Sequence, residues 1–333
     1  MTQRDPAAAL EALVLGEEPA YSRADLIRLS GVSDGLARSL WRALGFPDTG
    51  GETAFTDADL EALLTVRDLI DRGLLDEETA IVLARSLGQS TARLADWQTE
   101  AMGRFLVEQE HLEGRDLTGD PLVVDRILER AGALVDPLER LLDYAWRRQL
   151  AAVLDRRLSR TEVIGEPSGT GTVGFADLVG FTRLSRQLED VDLAVLVERF
   201  ESVSADVLAA TGATLVKTVG DEILYVADEA AVAAEAAVRL HDAHAKDPDV
   251  PEMRVGLASG PVLRRMGDVF GATVNLASRL TALARPGTTL VDAATAREVA
   301  DLSEFSLRQM APRRVRGVGI VRSFSLAAHE PSR

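Results

Sequence analysis

Residues 214–228 read TLVKTVGDEILYVAD, and this stretch decides the fold. Two runs rich in β-branched and aliphatic residues flank Gly220-Asp221, and Gly-Asp is a common pair in hairpin turns. The stretch therefore predicts two adjacent antiparallel strands joined by a tight turn.

The segments around this hairpin extend the pattern. Strands are predicted at 172–177 (TVGFAD) and 253–259 (MRVGLAS), and helices over 193–210 and 230–245. The order β-α-β-β-α-β predicts an α+β domain of ferredoxin-like type, an antiparallel sheet with helices on one face.

The N-terminal half has a different texture, because apolar residues recur there at helical spacing. A long amphipathic helix is predicted over 136–160, with Pro137 in its first turn. The stretch EPSGTGT at 166–172 is the clearest linker. These features predict an all-helical domain at 1–160, a linker at 161–172, the α+β domain at 173–328 and a tail at 329–333.

Composition excludes several classes of protein. The 333 residues are 46% apolar and carry a net charge of −16, which opposes binding to nucleic acid or to an anionic membrane. No apolar run approaches the ~20 residues that a membrane span needs. The chain has no cysteine, so disulfides and thiolate metal sites are excluded. We expect a cytoplasmic globular protein without a nucleic-acid partner or a membrane span.

Two acidic residues occupy positions where a metal site is an alternative to a purely structural role. Asp177 ends a strand and precedes a Gly-containing turn that opens a helix, where an N-cap is the simpler interpretation. Asp221 lies at the hairpin tip, where a turn residue is the simpler interpretation. In the predicted sheet the two strands are neighbours, so the carboxylates converge, and they repel each other unless a cation lies between them.

A third segment, 268–279, reads DVFGATVNLASR. Asn275 and Arg279 are four residues apart in a predicted helix over 273–283 and so lie on one face. A solvated polar stripe explains this spacing, but the flanking apolar residues indicate a helix in a crowded place.

Together these segments resemble the catalytic domain of class III nucleotidyl cyclases, over about residues 168–328. The resemblance is carried by FADLVGFT at 175–182, VKTVGDE at 216–222 and GATVNLASRL at 271–280, in the family's order. It implies an adenylyl cyclase that converts ATP to cyclic AMP and pyrophosphate.

The resemblance also implies roles for individual residues. Asp177, Asp221 and the Leu178 carbonyl would hold two Mg²⁺ or Mn²⁺ ions, Asn275 would position the ribose, and Arg279 would stabilise charge on the α-phosphate. The implied phosphate ligands are the backbone N–H groups of Val179, Gly180, Phe181 and Thr182 and the side chains of Arg254 and Arg316.

Substrate choice follows from hydrogen-bond polarity. Lys217 offers a donor and Asp268 an acceptor, which complements adenine and not guanine. Lys217 precedes Asp221 by four residues on one strand, a separation of ~13 Å. Lys217 and Asp221 of one chain are therefore too far apart to bind the base and the phosphates of the same nucleotide without strain. The resemblance implies a homodimer with two composite sites, each taking the metal ligands from one chain and the remaining groups from the other.

The N-terminal half allows two interpretations. Residues 21–47 have the helix-turn-helix pattern of a MerR-like DNA reader, yet residues 1–160 hold 19 Arg, no Lys and 29 acids, which opposes contact with phosphates. We expect a structural, dimerising or regulatory role, and the resemblance implies control by pH or by a lipid or other small molecule. For the catalytic half, a GGDEF-type diguanylate cyclase and an inactive nucleotide-sensing dimer are the alternatives.

Overall fold

A computed structural model describes residues 6–47, 53–109, 121–158, 168–265, 267–315 and 317–329. The chain divides into two compact units, at 1–159 and 160–333. In the part of the chain that the structure describes, no helix has the length and apolar character needed to cross a membrane.

The first unit is helical, with one small β-ladder. Its second helix begins after Ser22, whose hydroxyl caps Asp25 in a capping box, and ends at Gly31 in a left-handed conformation (φ 68°). Ser33 then caps the next helix, giving the helix-turn-helix expected from the sequence. The elements are α1 (Pro6–Leu15), β1 (Tyr21–Ser22), α2 (Arg23–Ser30), α3 (Asp34–Leu44), β2 (Thr53–Phe55), α4 (Asp57–Asp71), α5 (Glu77–Gln109) and α6 (Pro121–Leu158).

Helix α6 corrects one expectation. Pro137 was expected in the first turn of a helix over 136–160, but the helix begins at Pro121 and Pro137 lies in its interior. A proline inside a helix reduces the stability of the helix by about 3 kcal/mol, so the local preference of Pro137 is for the first turn of a helix. The long run of helix-forming residues on both sides overrides that preference.

In the part of the chain that the structure describes, the second unit has an α+β fold of ten strands and five helices, and eight of the strands form one large sheet. The strand order is β4-β5-β3-β6-β8-β12-β9, with β7 paired to β6. The first four strands and the two helices between them have the ferredoxin-like order, which confirms the predicted fold class. The strands are β3 (Ser168–Leu178), β4 (Thr214–Val219), β5 (Glu222–Ala227), β6 (Met253–Arg265), β7 (Asp268–Phe270), β8 (Thr289–Asp292), β9 (Phe305–Gln309), β10 (Arg313–Val315), β11 (Gly319–Val321) and β12 (Ser323–Ala328).

Helices pack on both faces of this sheet, so the expectation of helices on one face alone is wrong. One core joins the sheet to α8 and α9 around Phe200 and Tyr225, and the other joins the opposite face to α10 through Ala277 and Leu280. Gly256 permits the second packing, because a Cβ there would overlap the backbone of Thr281. The helices are α7 (Phe181–Leu184), α8 (Asp190–Thr211), α9 (Ala230–His244), α10 (Ala272–Leu283) and α11 (Ala293–Val299).

The start of β3 corrects the predicted linker. Residues 168–172, expected to be linker, form the first part of β3 and pair with β6. The Thr172 hydroxyl lies 2.8 Å from that of Ser259, which shows how small polar residues that favour loops serve a strand when they find cross-strand partners. Residues 161–167 of the predicted linker lie outside the described residues.

Candidate active site

Asp177 lies near the end of β3, between two charged cross-strand neighbours. The antiparallel register places Glu222 of β5 on one side and Arg254 of β6 on the other. The Arg254 guanidinium contacts the Asp177 Oδ2 atom through Nε at 2.6 Å and Nη2 at 2.5 Å. Strand alternation puts all three side chains on the face that packs against α10, because Phe175, two residues earlier, belongs to that core.

Asp221 lies beside Asp177 in the β4–β5 turn. Its backbone carbonyl accepts a 3.0 Å hydrogen bond from the Leu178 N–H, and the preceding Gly220 has a φ of 61°. Burial raises the pKa of the Asp221 carboxyl, and the negative charge of Asp177 raises it further. The hydrogen bond from the Asp221 backbone N–H and the charge of Arg254 lower this pKa but do not cancel the rise. A carboxyl whose ionised form is disfavoured by a neighbouring carboxylate is a natural place for a cation.

Glu222 is a third acid at this site that the sequence reasoning missed. Burial raises the pKa of its carboxyl, and the charges of Asp177 and Asp221 act in the same direction. The signal was available, because the first residue after a hairpin turn lies opposite the end of the neighbouring strand. Among the described residues, however, no three His, Cys, Asp or Glu side chains converge closely enough to hold one ion. The site thus has two converging carboxylates, those of Asp177 and Asp221, and a neighbouring acid, Glu222.

The backbone after β3 forms a short turn that leads into α7. The Val179 N–H donates a 2.7 Å hydrogen bond to the Glu252 carbonyl and is therefore not free for a phosphate, which corrects the expectation for that residue. Gly180 is left-handed (φ 78°) and precedes the helix. Within the described residues, the N–H groups of Gly180, Phe181 and Thr182 donate to no protein acceptor.

Lys217 and Asp268 meet, although 51 residues separate them. The Lys217 Nζ atom lies 2.6 Å from Asp268 Oδ2, and the Val269 N–H donates a 2.8 Å hydrogen bond to Oδ1. Partial burial acts to raise the pKa of Asp268, but the hydrogen bonds from Lys217 and Val269 outweigh it and lower the pKa below its usual range. The structure therefore brings together the donor and the acceptor expected to bind the base.

Asn275 and Arg279 lie one turn apart on α10, and both are exposed. Within the described residues, neither side chain has a hydrogen bond or an ion pair, and nothing links them to Asp177, Asp221 or Lys217. Arg316, the remaining expected ligand, lies outside the described residues. One chain thus holds three separate groups: the acids with Arg254, the Lys217–Asp268 pair, and the two unpartnered side chains on α10.

The fold and these groups define a nucleotidyl cyclase domain, and the comparisons with known proteins agree. The family model for the adenylate and guanylate cyclase catalytic domain matches residues 163–328. Cyclase domains of this class typically use a divalent metal.

The relatives identify the family further. An adenylate cyclase of Streptomyces coelicolor is 44% identical over 98% of this chain and 91% of its own length, and one of Streptomyces griseus is 47% identical over 89% and 72%. A catalytic core of a rhodopsin-guanylyl cyclase with converted specificity, solved with ATPαS, is 24% identical over 49% of this chain and 99% of its own, with a TM-score of 0.46. This chain belongs to the class III adenylate cyclase family.

Proposed function

We propose that this chain converts ATP to 3′,5′-cyclic AMP and pyrophosphate in a homodimer with two composite sites. The observation that carries the choice of ATP is the 2.6 Å pair between Lys217 and Asp268. With adenine bound, the Lys217 ammonium donates to the N1 acceptor and the Asp268 carboxylate accepts from the 6-amino group. Guanine presents the opposite polarity at these positions, so it would satisfy neither the Lys217 donor nor the Asp268 acceptor.

The acids fit a pair of divalent cations. Asp177 and Asp221 converge, the pKa of Asp221 is raised, and carboxylate and carbonyl oxygens are the ligands that Mg²⁺ and Mn²⁺ prefer. We assign the two carboxylates and the Leu178 carbonyl as the metal ligands. When bound, such ions supply Lewis-acid activation of the attacking hydroxyl and neutralise phosphate charge.

In the proposed reaction, side chains and backbone groups of the protein position the nucleotide and stabilise the charge that develops on it. The ribose 3′-hydroxyl gives its proton to water and its oxygen bonds to the α-phosphorus, while the bond from the α-phosphorus to the oxygen that bridges to the β-phosphate breaks and pyrophosphate leaves with that oxygen. Arg279 stabilises the charge that develops on the α-phosphate, and Asn275 holds the ribose so that the 3′-oxygen is in line. The free N–H groups of Gly180 to Thr182 and the Arg254 guanidinium bind the departing phosphates.

The composite site follows from the separation of these groups. Asn275 and Arg279 are exposed and have no partner among the described residues, so both side chains are available to a ligand or to a second chain. A symmetric dimer gives each nucleotide Asp177 and Asp221 from one chain and the Lys217–Asp268 pair with the α10 side chains from the other.

Mixing two inactive variants tests the composite site. Asp221→Ala and Arg279→Ala should each abolish cyclic AMP formation from ATP and Mn²⁺. Co-refolded heterodimers should regain activity, because one of their two sites then holds no altered residue. No recovery in heterodimers verified by mass spectrometry would refute the shared site. Absence of any cyclic product from the unaltered protein, with ATP bound, would instead support an inactive nucleotide-sensing dimer.

We further propose that the helical unit dimerises and controls the catalytic halves in response to pH or to a lipid or other small molecule. The support comes from α6, which exposes large apolar side chains, among them Trp146 (54%), Leu150 (42%) and Leu154 (50%). Such a surface favours burial against another apolar surface. Deleting residues 1–160 and comparing rates across pH and with fatty-acid vesicles tests the idea, since an unchanged rate everywhere would exclude control by this unit.

A further inference from the structure

Arg254 and Asp177 bind each other in this structure, although the reaction requires different partners for each. Both guanidinium contacts, from Nε at 2.6 Å and from Nη2 at 2.5 Å, go to the same Oδ2 atom of Asp177. In the proposed reaction Asp177 binds a cation and Arg254 binds a phosphate. These roles compete with the observed contact, because a cation on the Asp177 carboxylate would face the positive guanidinium at close range.

We propose that Arg254 exchanges partners during the cycle, from Asp177 in the empty site to the nucleotide phosphates in the loaded one. This inference rests on the proposed metal and phosphate roles of the two residues. Before nucleotide binds, Arg254 supplies the positive charge that the acids need, and it competes with the metal. When the phosphates draw Arg254 away, Asp177 becomes free for the cation.

The surroundings allow such an exchange. The Asp177 side chain is 13% exposed and fixed in the sheet, whereas the Arg254 side chain is 34% exposed and long enough to swing. The site keeps a local negative charge from three acids, Asp177, Asp221 and Glu222. This charge attracts the Arg254 guanidinium in the empty site and the metal ion in the loaded site. A phosphate would give the partly exposed guanidinium a second anionic partner, so its charge stays paired after it leaves Asp177.

The exchange makes metal and nucleotide binding cooperative by linkage, because each ligand removes the same contact that opposes the other. Without Arg254, the metal loses its competitor and binds the empty site more tightly. We expect the gain to be about tenfold, the size of a one-unit change in proton affinity caused by a neighbouring charge.

The test measures Mn²⁺ binding to the full chain without nucleotide, by electron paramagnetic resonance of the free ion. Arg254→Gln should bind Mn²⁺ about tenfold more tightly than the unaltered chain. Arg264→Gln is the matched control, because Arg264 lies on the same strand and is 37% exposed, but pairs with Asp228 at 2.9 Å. This control should leave the affinity unchanged, and Asp177→Asn should greatly weaken binding. Circular dichroism verifies that each variant folds.

The outcomes separate the exchange from the metal assignment. If Asp177→Asn loses Mn²⁺ while Arg254→Gln binds it no more tightly than the unaltered chain, the exchange is refuted and the metal site stands. If Asp177→Asn binds Mn²⁺ normally, the metal assignment fails and the exchange fails with it. An equal gain in Arg254→Gln and Arg264→Gln would reduce the effect to overall charge and would also refute the exchange.

Discussion

Two ion pairs on the same sheet differ in burial and, we propose, in task. Arg254–Asp177 has an acid that is 13% exposed, whereas Lys217–Asp268 has side chains that are 41% and 30% exposed. The first pair lies among further acids, and the second is more open, although the Lys217 charge acts to lower the pKa of Glu222 against the burial that raises it. We propose that the crowded pair takes part in the chemistry and that the open pair, which a ligand can enter between donor and acceptor, selects the base.

We expect the largest effect from removing an acid next to the crowded pair, Arg254–Asp177. Asp221→Ala should lower the rate of cyclic AMP formation by at least ~10³-fold, because it deletes a metal ligand at the reacting phosphate. The folded state should not suffer, because the pKa of Asp221 is raised by burial and by Asp177, so its charge is unfavourable there. Chromatographic product analysis and a thermal melt measure the two effects, and a retained rate would contradict the assignment.

We expect an intermediate effect from reversing the hydrogen-bond polarity of Lys217 in the open pair, Lys217–Asp268. Lys217→Glu should reduce the preference of kcat/KM for ATP over GTP by about 10²-fold, because the donor to adenine N1 becomes an acceptor. Lys246→Glu is the control, because Lys246 is the other lysine of the chain. If the preference of Lys217→Glu matched that of the control, base selection would lie elsewhere.

A smaller effect concerns the stability that the open pair provides. Asp268→Asn should change the free energy of unfolding by less than about 1 kcal/mol, because both partners are partly exposed and screened by water and salt. The pKa of Asp268 is lowered in the folded chain, so its contribution is present at neutral pH and lost as pH falls through the acid range below 4. Urea unfolding at pH 7 and pH 3 measures it, and a loss of several kcal/mol at pH 7 would show that this pair is structural.

His244 provides a pH effect that involves neither pair. Its ring is 4% exposed, lies 3.1 Å from the Ser204 hydroxyl, and has a pKa lowered by burial to about 4. The unfolded chain takes up this proton first, so stability should fall as pH drops from about 6.5 to 4, by at most about 3 kcal/mol. Replacement by Phe should flatten that part of the pH–stability curve measured in urea. An unchanged slope would place the acid sensitivity in other groups.

The sequence predicted the fold class from the order of its strands and helices, and the resemblance to the cyclases implied that Lys217 and Asp268 bind one base, although not that they contact each other. The order of strands and helices also placed Asp177 and Asp221 at neighbouring strand ends.

Other features depend on tertiary context that the sequence does not display. The Val179 N–H is used by Glu252, a residue on a different segment, so its availability could not be deduced from the turn alone. Pro137 and residues 168–172 follow their neighbours into a helix and a strand against their local preferences. The contact of Arg254 with Asp177 required the register of β3 with β6, which no spacing along the chain reveals.

The hydrogen bond from the Leu178 N–H to the Asp221 carbonyl has a mechanical consequence. It ties together the main chains that carry the two acids, so the gap between their Cα atoms is set by peptide groups and not by side-chain rotamers. In the proposed metal site, the main chain therefore fixes where the two acidic side chains begin, and only their side-chain torsions are left to adapt the carboxylates to an ion of another radius.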